Sequence, residues 1–267
     1  MQEIRLGPAG SPGRSTLEGI QMVKNMGLQC LEVEFVRGVH MGIDLAKDVG
    51  TLAKKLDIEL SIHAPYYINL ASAEKKKIEE SKKRILDSVE RGHYLGARHV
   101  VFHPAYYGKL SKEETYRMVK EAVLDMKSTI RKRGWKSELA LETTGKHSAF
   151  GDLEETLSIA KETETLTCID FAHLYARNRG VIDYGKVLDR FEDILGKRHL
   201  QAHFSNIEWT LKGEKSHKVL DSSPPFRPLA EEILNRKLNA TIISESPITW
   251  KDALKMKAVF EDLGYRF

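Results

Sequence analysis

Short β-rich runs alternate with longer amphipathic segments along the chain, and the alternation occurs eight times. Several of the short runs are apolar almost throughout, which is typical of strands buried on both faces of a parallel sheet. A helical pattern follows each run; after the fourth, for example, Val119, Val123 and Met126 recur at three- or four-residue spacing. The predicted strands are residues 3–7, 30–36, 58–63, 99–103, 138–142, 166–170, 199–204 and 240–245.

Eight successive strand–helix units predict an α/β fold, a closed TIM (β/α)8 barrel that residues 1–267 form as a single domain. An open doubly wound sheet is the alternative. The first predicted loop, GPAGSPG, lacks the glycine spacing of a dinucleotide fingerprint. The longest irregular segment, about residues 205–225, has few β-branched residues and two consecutive prolines. We predict that it is a functional loop and that it contributes to the active face with the other βα loops.

The composition bears on the cellular compartment and on possible partners, but it does not indicate a function. The net charge of +4 is compatible with a polyanionic partner but carries little weight alone. The only two cysteines, Cys30 and Cys168, lie in apolar runs and are expected to be buried free thiols, which fits a reducing compartment. The first residues do not resemble a signal peptide, and no apolar run approaches the length of a membrane span. A cytoplasmic protein is therefore expected.

Ionisable side chains lie at or near the carboxyl ends of six predicted strands. In a TIM barrel, the carboxyl ends of the strands surround the face that holds the active site. One histidine at a strand end is usually a hydrogen-bonded structural residue. Several carboxylates packed together, however, would repel one another unless divalent cations supplied the opposite charge. The residues are His63, His103, Glu142, Asp170, His203 and Glu245.

The mixture of imidazole nitrogen and carboxylate oxygen favours zinc, with Mn²⁺ or Fe²⁺ as alternatives. Six ligands exceed the three protein ligands of one catalytic zinc, so at least two metal ions are expected. Paired metals suit in-line displacement at phosphorus. His173 follows Asp170 by three residues, and His217 lies in the segment 205–225. Both could join the cluster from loops on the same face.

Six segments of the chain resemble, in order, the signature segments of endonuclease IV: SIHAPYYINLAS, VFHPAYY, LALETTG, CIDFAH, AHFSN and TIISESP. These enzymes are the zinc-dependent family 2 apurinic/apyrimidinic endonucleases on the xylose-isomerase-like TIM barrel. The resemblance implies hydrolysis of the phosphodiester 5′ to an abasic site in duplex DNA, leaving a 3′-hydroxyl and a 5′-deoxyribose phosphate, in base-excision repair.

The resemblance also implies a trinuclear zinc site in which Glu142, Asp170 and Glu245 are the catalytic carboxylates. The first zinc would take His63, His103 and Glu142, and the second would take Glu142, Asp170, His203 and Glu245. The family's third zinc takes a histidine at the position of His173 and an Asp-x-His pair. Here His217 is present, but Lys215 stands where the aspartate is expected. Two zinc ions are therefore expected and the third is left open, with Glu214 or Asp221 as possible substitutes for the aspartate and Lys215 as a possible electrostatic substitute for the ion.

DNA contacts follow from the same resemblance. Tyr66 and Tyr67 lie in the family's DNA-penetrating loop, and Arg37 lies where an inserting arginine is expected. Packing over the barrel mouth is the alternative role for the tyrosines. Three further residues are predicted as phosphate contacts or as supports of the metal ligands: Asn69, Lys146 and Asn206.

Two other functions stay open at this point. A sugar isomerase or epimerase on the same barrel uses similar strand-end residues with a divalent metal, and both Lys215 and Glu34, at the end of the second strand, leave room for it. The segment HAPYYINLAS argues against it. A non-catalytic damaged-DNA-binding protein would keep zinc only for its fold, although structural zinc sites are usually rich in cysteine. The expected protein is a monomer that binds abasic duplex DNA and no membrane.

Overall fold

All eight predicted strands form in the computed structural model, which describes residues 2–267. The strands are β1 (Ile4–Pro8), β2 (Cys30–Glu34), β3 (Glu59–His63), β4 (His99–Phe102), β5 (Ala105–Tyr106), β6 (Glu138–Glu142), β7 (Ala149–Phe150), β8 (Leu166–Asp170), β9 (Leu200–Phe204), β10 (Asn206–Thr210), β11 (Gly213–Lys218) and β12 (Ala240–Ser244). Eight of them pair in parallel in the order β1-β12-β9-β8-β6-β4-β3-β2. The predicted TIM barrel is confirmed.

Helices connect consecutive barrel strands and cover the outside of the barrel. They are α1 (Thr16–Asn25), α2 (Ile43–Leu56), α3 (Lys75–Leu95), α4 (Lys112–Arg133), α5 (Leu153–Thr163), α6 (Phe171–Arg177), α7 (Tyr184–Leu195), α8 (Arg227–Arg236) and α9 (Trp250–Asp262). Capping boxes at Ser111 and Asp152 begin α4 and α5. Gly96 and Gly134, at φ 65° and 68°, end α3 and α4. Among the helices of residues 2–267, none has the length and hydropathy that a membrane span requires.

The first and second strands close the barrel. The Gln29 N–H donates to the Leu6 carbonyl and the Gly10 N–H donates to the Glu32 carbonyl, both at 2.9 Å. Gly7 permits this approach, because a Cβ atom at that position would lie 1.8 Å from the Cys30 carbonyl oxygen. A side chain cannot fit there unless the two strands separate.

Gly7→Ala should therefore destabilise the protein by about 3 kcal/mol, the upper part of the usual range for overpacking a core. The reason is that the new Cβ atom would overlap the Cys30 carbonyl group, so β1 or β2 must shift. Urea unfolding of the variant and the parent measures the difference. Gly42→Ala is the matched control, because a Cβ atom there meets nothing within 4 Å. Equal stability of both variants and the parent would contradict the role given to Gly7.

Side-chain alternation along each strand places the strand-end residues inside the barrel. In β6, Leu139 and Leu141 face the main apolar core between strands and helices, whereas Ala140 packs in a separate small cluster with Val101 and Cys168. Residues two positions further along a strand point to the same side. Glu142 therefore lies directly above this apolar layer. The predicted burial of both cysteines as free thiols is confirmed.

The segment predicted as an irregular loop at 205–225 differs from expectation, because much of it is an antiparallel hairpin formed by β10 and β11. Ile207 and Trp209 alternate along β10 and pack against α6, where Ile207 joins Ala172 and Ala176. Trp209 also lies against Gly180, at which a Cβ atom would be 2.7 Å from the indole ring. The alternation in NIEWT was a signal for this strand. The hairpin follows β9 directly, so its residues lie at the face formed by the carboxyl ends of the barrel strands.

Candidate metal centre

Glu142 lies at the carboxyl end of β6, inside the barrel, and is completely buried. Its Oε2 atom lies 3.1 Å from His63 Nε2 and 3.0 Å from His103 Nε2. Its Oε1 atom lies 3.2 Å from His203 Nδ1 and 3.4 Å from His173 Nδ1. One carboxylate thus contacts histidines that come from four different parts of the barrel.

Two histidines are held in a defined tautomer by backbone carbonyl groups. His63 Nδ1 lies 2.8 Å from the Ala64 oxygen, and His173 Nδ1 lies 2.9 Å from the Thr143 oxygen. Since a carbonyl oxygen only accepts hydrogen bonds, each Nδ1 must carry the proton and donate it. A neutral imidazole then presents an Nε2 lone pair, which for His63 faces the Glu142 carboxylate and for His173 faces Glu214 Oε2 at 3.1 Å. Each such pair requires a proton or a cation between the two atoms.

The two carboxylate oxygens of Asp170 have different surroundings. Oδ1 caps the N-terminus of α6 by accepting a hydrogen bond from the His173 N–H at 2.7 Å. Oδ2 is buried without a hydrogen-bond partner. A buried carboxylate oxygen without a partner is costly, so its presence indicates that a cation or another ligand completes the site.

The pKa values of the cluster show how strongly these groups interact. Burial by itself would lower the pKa of His63, but its hydrogen bond to Glu142 and the neighbouring carboxylates raise it to about 10. Burial would raise the pKa of Glu142, yet His103 and His203 hold it well below its usual range. Burial dominates for Asp170 and raises its pKa to about 8. Without cations, the cluster must retain protons to remain buried.

Three groups of residues could each hold a metal ion. Within each group, the ligand atoms all lie within 4.8 Å of one another. Glu142 belongs to two of the groups and Glu245 belongs to two. The donor set of imidazole nitrogen and carboxylate oxygen, the fixed histidine tautomers and the partnerless Asp170 oxygen all fit divalent metal ions. The groups are His63, His103 and Glu142; Glu142, Asp170, His203 and Glu245; and His173, His217 and Glu245.

A β-bulge decides which residues of the hairpin face this centre. Glu208 pairs with Ser216 whereas Trp209 pairs with Glu214, so Lys215 is an extra residue in β11. In a regular strand Lys215 and His217 would point to the same side, but the extra residue places Glu214 on the side of His217 instead. Lys215 is exposed and lies 2.5 Å from Glu208. It does not replace a cation at the centre, and Glu214 contacts His173. Asp221 is exposed.

Glu32 is a buried residue of this site that the strand-end pattern did not identify. Its Oε1 atom lies 2.9 Å from His203 Nε2, within ion-pair distance although not aligned as a hydrogen bond. Ser61 Oγ donates to its other oxygen at 2.7 Å. A carboxylate behind a histidine orients the ring toward a metal. The available signal was a pair of acidic residues, Glu32 and Glu34, two positions apart in an apolar strand.

A cavity of about 470 Å³ opens above the clusters. Tyr66 and Lys146 line it, and the Tyr66 ring lies 5.5 Å from the His63 ring. Tyr67 is 69% exposed beside it, and Arg37 is exposed in the loop that follows β2. Four of the six residues predicted to contact DNA therefore have accessible side chains, and Tyr66 and Lys146 form part of the cavity wall.

The two predicted asparagine contacts are placed differently. Asn206 is buried; its amide donates to the Pro224 carbonyl, and its oxygen accepts from the N–H groups of Asp221 and Ser222. Asn69 Oδ1 accepts from the backbone N–H groups of Ala71 and Tyr106. Their hydrogen bonds hold loops in place, which favours structural roles over contacts with phosphate.

Comparison with known proteins identifies the family. The model of the xylose isomerase-like TIM barrel family matches residues 20–260. The chain belongs to this family. An uncharacterized protein of Methanocaldococcus jannaschii is 36% identical over 98% of this chain and 99% of its own length. A probable endonuclease 4 of Phocaeicola vulgatus is 25% identical over 74% of this chain and 75% of its own.

Two solved structures share the fold of this chain. Endonuclease IV from Thermus thermophilus superimposes with a TM-score of 0.76 at 20% identity, covering 97% of this chain and 98% of that one. A D-tagatose 3-epimerase-like protein does so with a TM-score of 0.75 at 18% identity, covering 97% and 96%. The resemblance to endonuclease IV is confirmed at the level of the family, and the epimerase-like protein shows that the same fold occurs under another name.

Proposed function

We propose that the protein is a zinc-dependent abasic-site endonuclease that hydrolyses the phosphodiester 5′ to an abasic site in duplex DNA, leaving a 3′-hydroxyl and a 5′-deoxyribose phosphate. The observation that carries the proposal is the position of Glu142 in two adjoining ligand groups. A carboxylate shared in this way suits a pair of metal ions, and paired ions suit displacement at phosphorus. Base-excision repair is the process in which such an activity is needed.

Zinc ions, when bound, would lower the pKa of water and neutralise charge that develops on the phosphate. The protein's own residues set the geometry for this chemistry. Asp170 and Glu142 offer carboxylate oxygens from adjacent strands, and backbone carbonyls fix His63 and His173. Lys146, half exposed at the cavity wall and 3.6 Å from Glu214, would offer a positive charge to the phosphate.

Selection of the abasic nucleotide would use the cavity and its rim. Extruding a nucleotide from the duplex costs least where the base is already missing. The cavity of about 470 Å³ can receive a sugar. Tyr67 is exposed beside it and can insert into the base stack, while Tyr66 forms part of the wall above His63.

The experiment is cleavage of a duplex that contains one abasic analogue, with metal content measured on the same protein sample. We expect a single nick 5′ to the lesion, lost after treatment with a chelator and restored by zinc. An intact duplex of the same sequence is the control. Absence of nicking by protein that holds two or more metal ions per chain would overturn the proposal.

A sugar epimerase or isomerase is the second candidate. Glu142, Asp170, His203 and Glu245 alone form a complete four-residue ligand group, and Glu34 adds a carboxyl group to the cavity. The structural similarity to the D-tagatose 3-epimerase-like protein is nearly as high as that to endonuclease IV. Turnover of a panel of ketoses and aldoses, with no cleavage of abasic DNA, would favour this function.

Tyr67→Ala should weaken binding to abasic duplex by about tenfold and binding to intact duplex much less. The reason is that stacking of an aromatic side chain on a base contributes roughly 1–3 kcal/mol, and only a flipped-out site opens the gap that the ring fills. Fluorescence anisotropy with both duplexes measures the two affinities. Tyr67→Phe keeps the ring and should bind like the parent. Equal losses on both duplexes would rule out insertion.

We further propose that the third ligand group, His173, His217 and Glu245, holds an ion of its own, and Gly145→Ala should remove that ion without unfolding the protein. A Cβ atom at Gly145 would lie 2.4 Å from Glu214 Oε2 and 3.1 Å from His173 Cδ2, so both side chains must move. Metal analysis after dialysis, compared with the parent, measures the loss. Gly185→Ala is the matched control, because its nearest contact would be 3.4 Å away. Unchanged metal content in Gly145→Ala would contradict a third ion at His173 and His217.

A further inference from the structure

Glu34 is the carboxyl group of the cavity that neither the metal groups nor the fold accounts for. It ends β2 beside His63, its register partner in β3, and it lines the cavity. Its Oε1 atom is buried without a hydrogen-bond partner. Glu34 belongs to none of the three metal-ligand groups found among residues 2–267. A buried carboxyl oxygen without a partner destabilises a fold, so the fold itself gives no reason for it.

The position of Glu34 indicates the chemistry of the group that it would bind. A carboxyl group is a poor partner for phosphate, which has a better one in the positive charge of Lys146 at the same cavity. A hydroxyl group is the natural partner, because its O–H can donate to the unsatisfied oxygen. The occupant of this part of the cavity is therefore expected to be a sugar carbon that carries a free hydroxyl.

An abasic nucleotide in DNA has only one such group. Its 3′ and 5′ oxygens are esterified, its 2′ position has no oxygen, and its C1′ carries a hydroxyl because the base has been lost. We propose that Glu34 is a specificity-determining residue that accepts a hydrogen bond from the C1′ hydroxyl of the abasic sugar. The assignment rests on the proposed abasic-site endonuclease function and adds the group by which the site recognises base loss.

This contact would discriminate in two ways. A sugar that retains its base presents no hydroxyl to Glu34, and the buried oxygen then stays without a partner. A tetrahydrofuran analogue has the same ring with hydrogen in place of the hydroxyl, so it isolates the contribution of that single group. Glu34 would therefore distinguish the natural lesion from its closest analogue.

The test compares nicking of two duplexes of identical sequence, one with a natural abasic site and one with tetrahydrofuran, against blanks without protein. The kcat/KM ratio between them is measured for the parent, Glu34→Leu, Glu34→Gln and Val36→Ala. Val36→Ala is the matched control, because Val36 lines the same cavity without hydrogen-bonding groups. We expect the parent and Val36→Ala to prefer the natural site by about fivefold or more, the usual strength of a hydrogen bond. In Glu34→Leu the ratio should fall to about one, and in Glu34→Gln to an intermediate value.

Each other outcome overturns the assignment in a recognisable way. A parent that nicks both duplexes equally, or a Glu34→Leu variant that keeps the parent's ratio, overturns the role of Glu34 and leaves the endonuclease intact. A parent that nicks neither duplex overturns the endonuclease function and the assignment with it. Thermal unfolding adds a second readout, because loss of a partnerless buried carboxyl should leave the Tm equal or higher. A large fall in Tm in both Glu34 variants would indicate a structural role instead.

Discussion

Glu142→Gln is expected to reduce nicking of abasic DNA by about a thousandfold while the barrel stays folded. The substitution keeps the size of the side chain but replaces a charged oxygen with an amide group. Both oxygens of Glu142 lie 3.0–3.4 Å from histidine nitrogens, so no other side chain of the cluster can take over this position. The variant should also bind fewer metal ions, because Glu142 belongs to two of the ligand groups.

Glu138→Gln is the control that isolates the effect of position. Glu138 lies in the same strand, four residues earlier, and is exposed at the opposite end of the barrel. The same chemical change there should leave nicking and metal content unchanged. Single-turnover cleavage with metal analysis separates loss of chemistry from loss of metal. A Glu142→Gln variant that nicks at the parent's rate would contradict the assignment of Glu142 as a shared ligand.

The barrel, and the grouping of most of these residues at its carboxyl-terminal face, could be predicted from the sequence because both depend on short-range periodicity. Alternation within each strand sends every second side chain inward, and parallel pairing brings all carboxyl ends to one face. His63, Glu142 and Asp170 could therefore be placed together without knowing any distance. Their contacts in the structure follow from this rule.

The hairpin residues could not be placed in this way. Counting back two residues from His217 leads to Lys215, whereas a bulge brings Glu214 to the centre. A bulge adds one residue to one strand and depends on how the hairpin packs on the barrel. Here the Glu214 N–H donates to the Gly145 carbonyl across the hairpin's edge, a long-range contact that no local pattern indicates.

The roles of Asn206 and Glu32 could not be predicted from the sequence either. The resemblance to endonuclease IV suggested Asn206 as a phosphate contact or a support of the metal ligands, but its amide donates to the Pro224 carbonyl instead. Glu32 was hidden because a strand interior is normally apolar, and its role depends on His203 from a strand on the far side of the barrel. Hydrogen-bond partners distant in sequence decide whether a polar residue binds a ligand or holds the fold.

Removal of metal should produce the second large effect, on stability as well as activity. Ligands that bind only the folded state stabilise it, by about 4 kcal/mol when present at a thousand times their Kd. For a chain of this size that corresponds to a fall in Tm of about 10 °C when the metals are stripped. Differential scanning calorimetry of chelated and zinc-reconstituted protein at pH 7 measures the difference. Glu142→Gln should show a smaller difference than the parent.

The metal-free protein should also become less stable as the pH rises from about 6.5 to about 10. In the metal-free folded state the pKa of His63 is raised from 6.5 to about 10, chiefly by Glu142 and despite burial. The folded protein then binds a proton that the unfolded chain releases, so this contribution is fully present below 6.5 and is lost as the pH rises through 10. Burial raises the pKa of Asp170 to about 8, which acts in the same direction up to that pH. Zinc replaces these protons, so the reconstituted protein should show a flatter Tm between pH 7 and 9. Parallel pH profiles for the stripped and reconstituted forms would contradict a metal centre at this cluster.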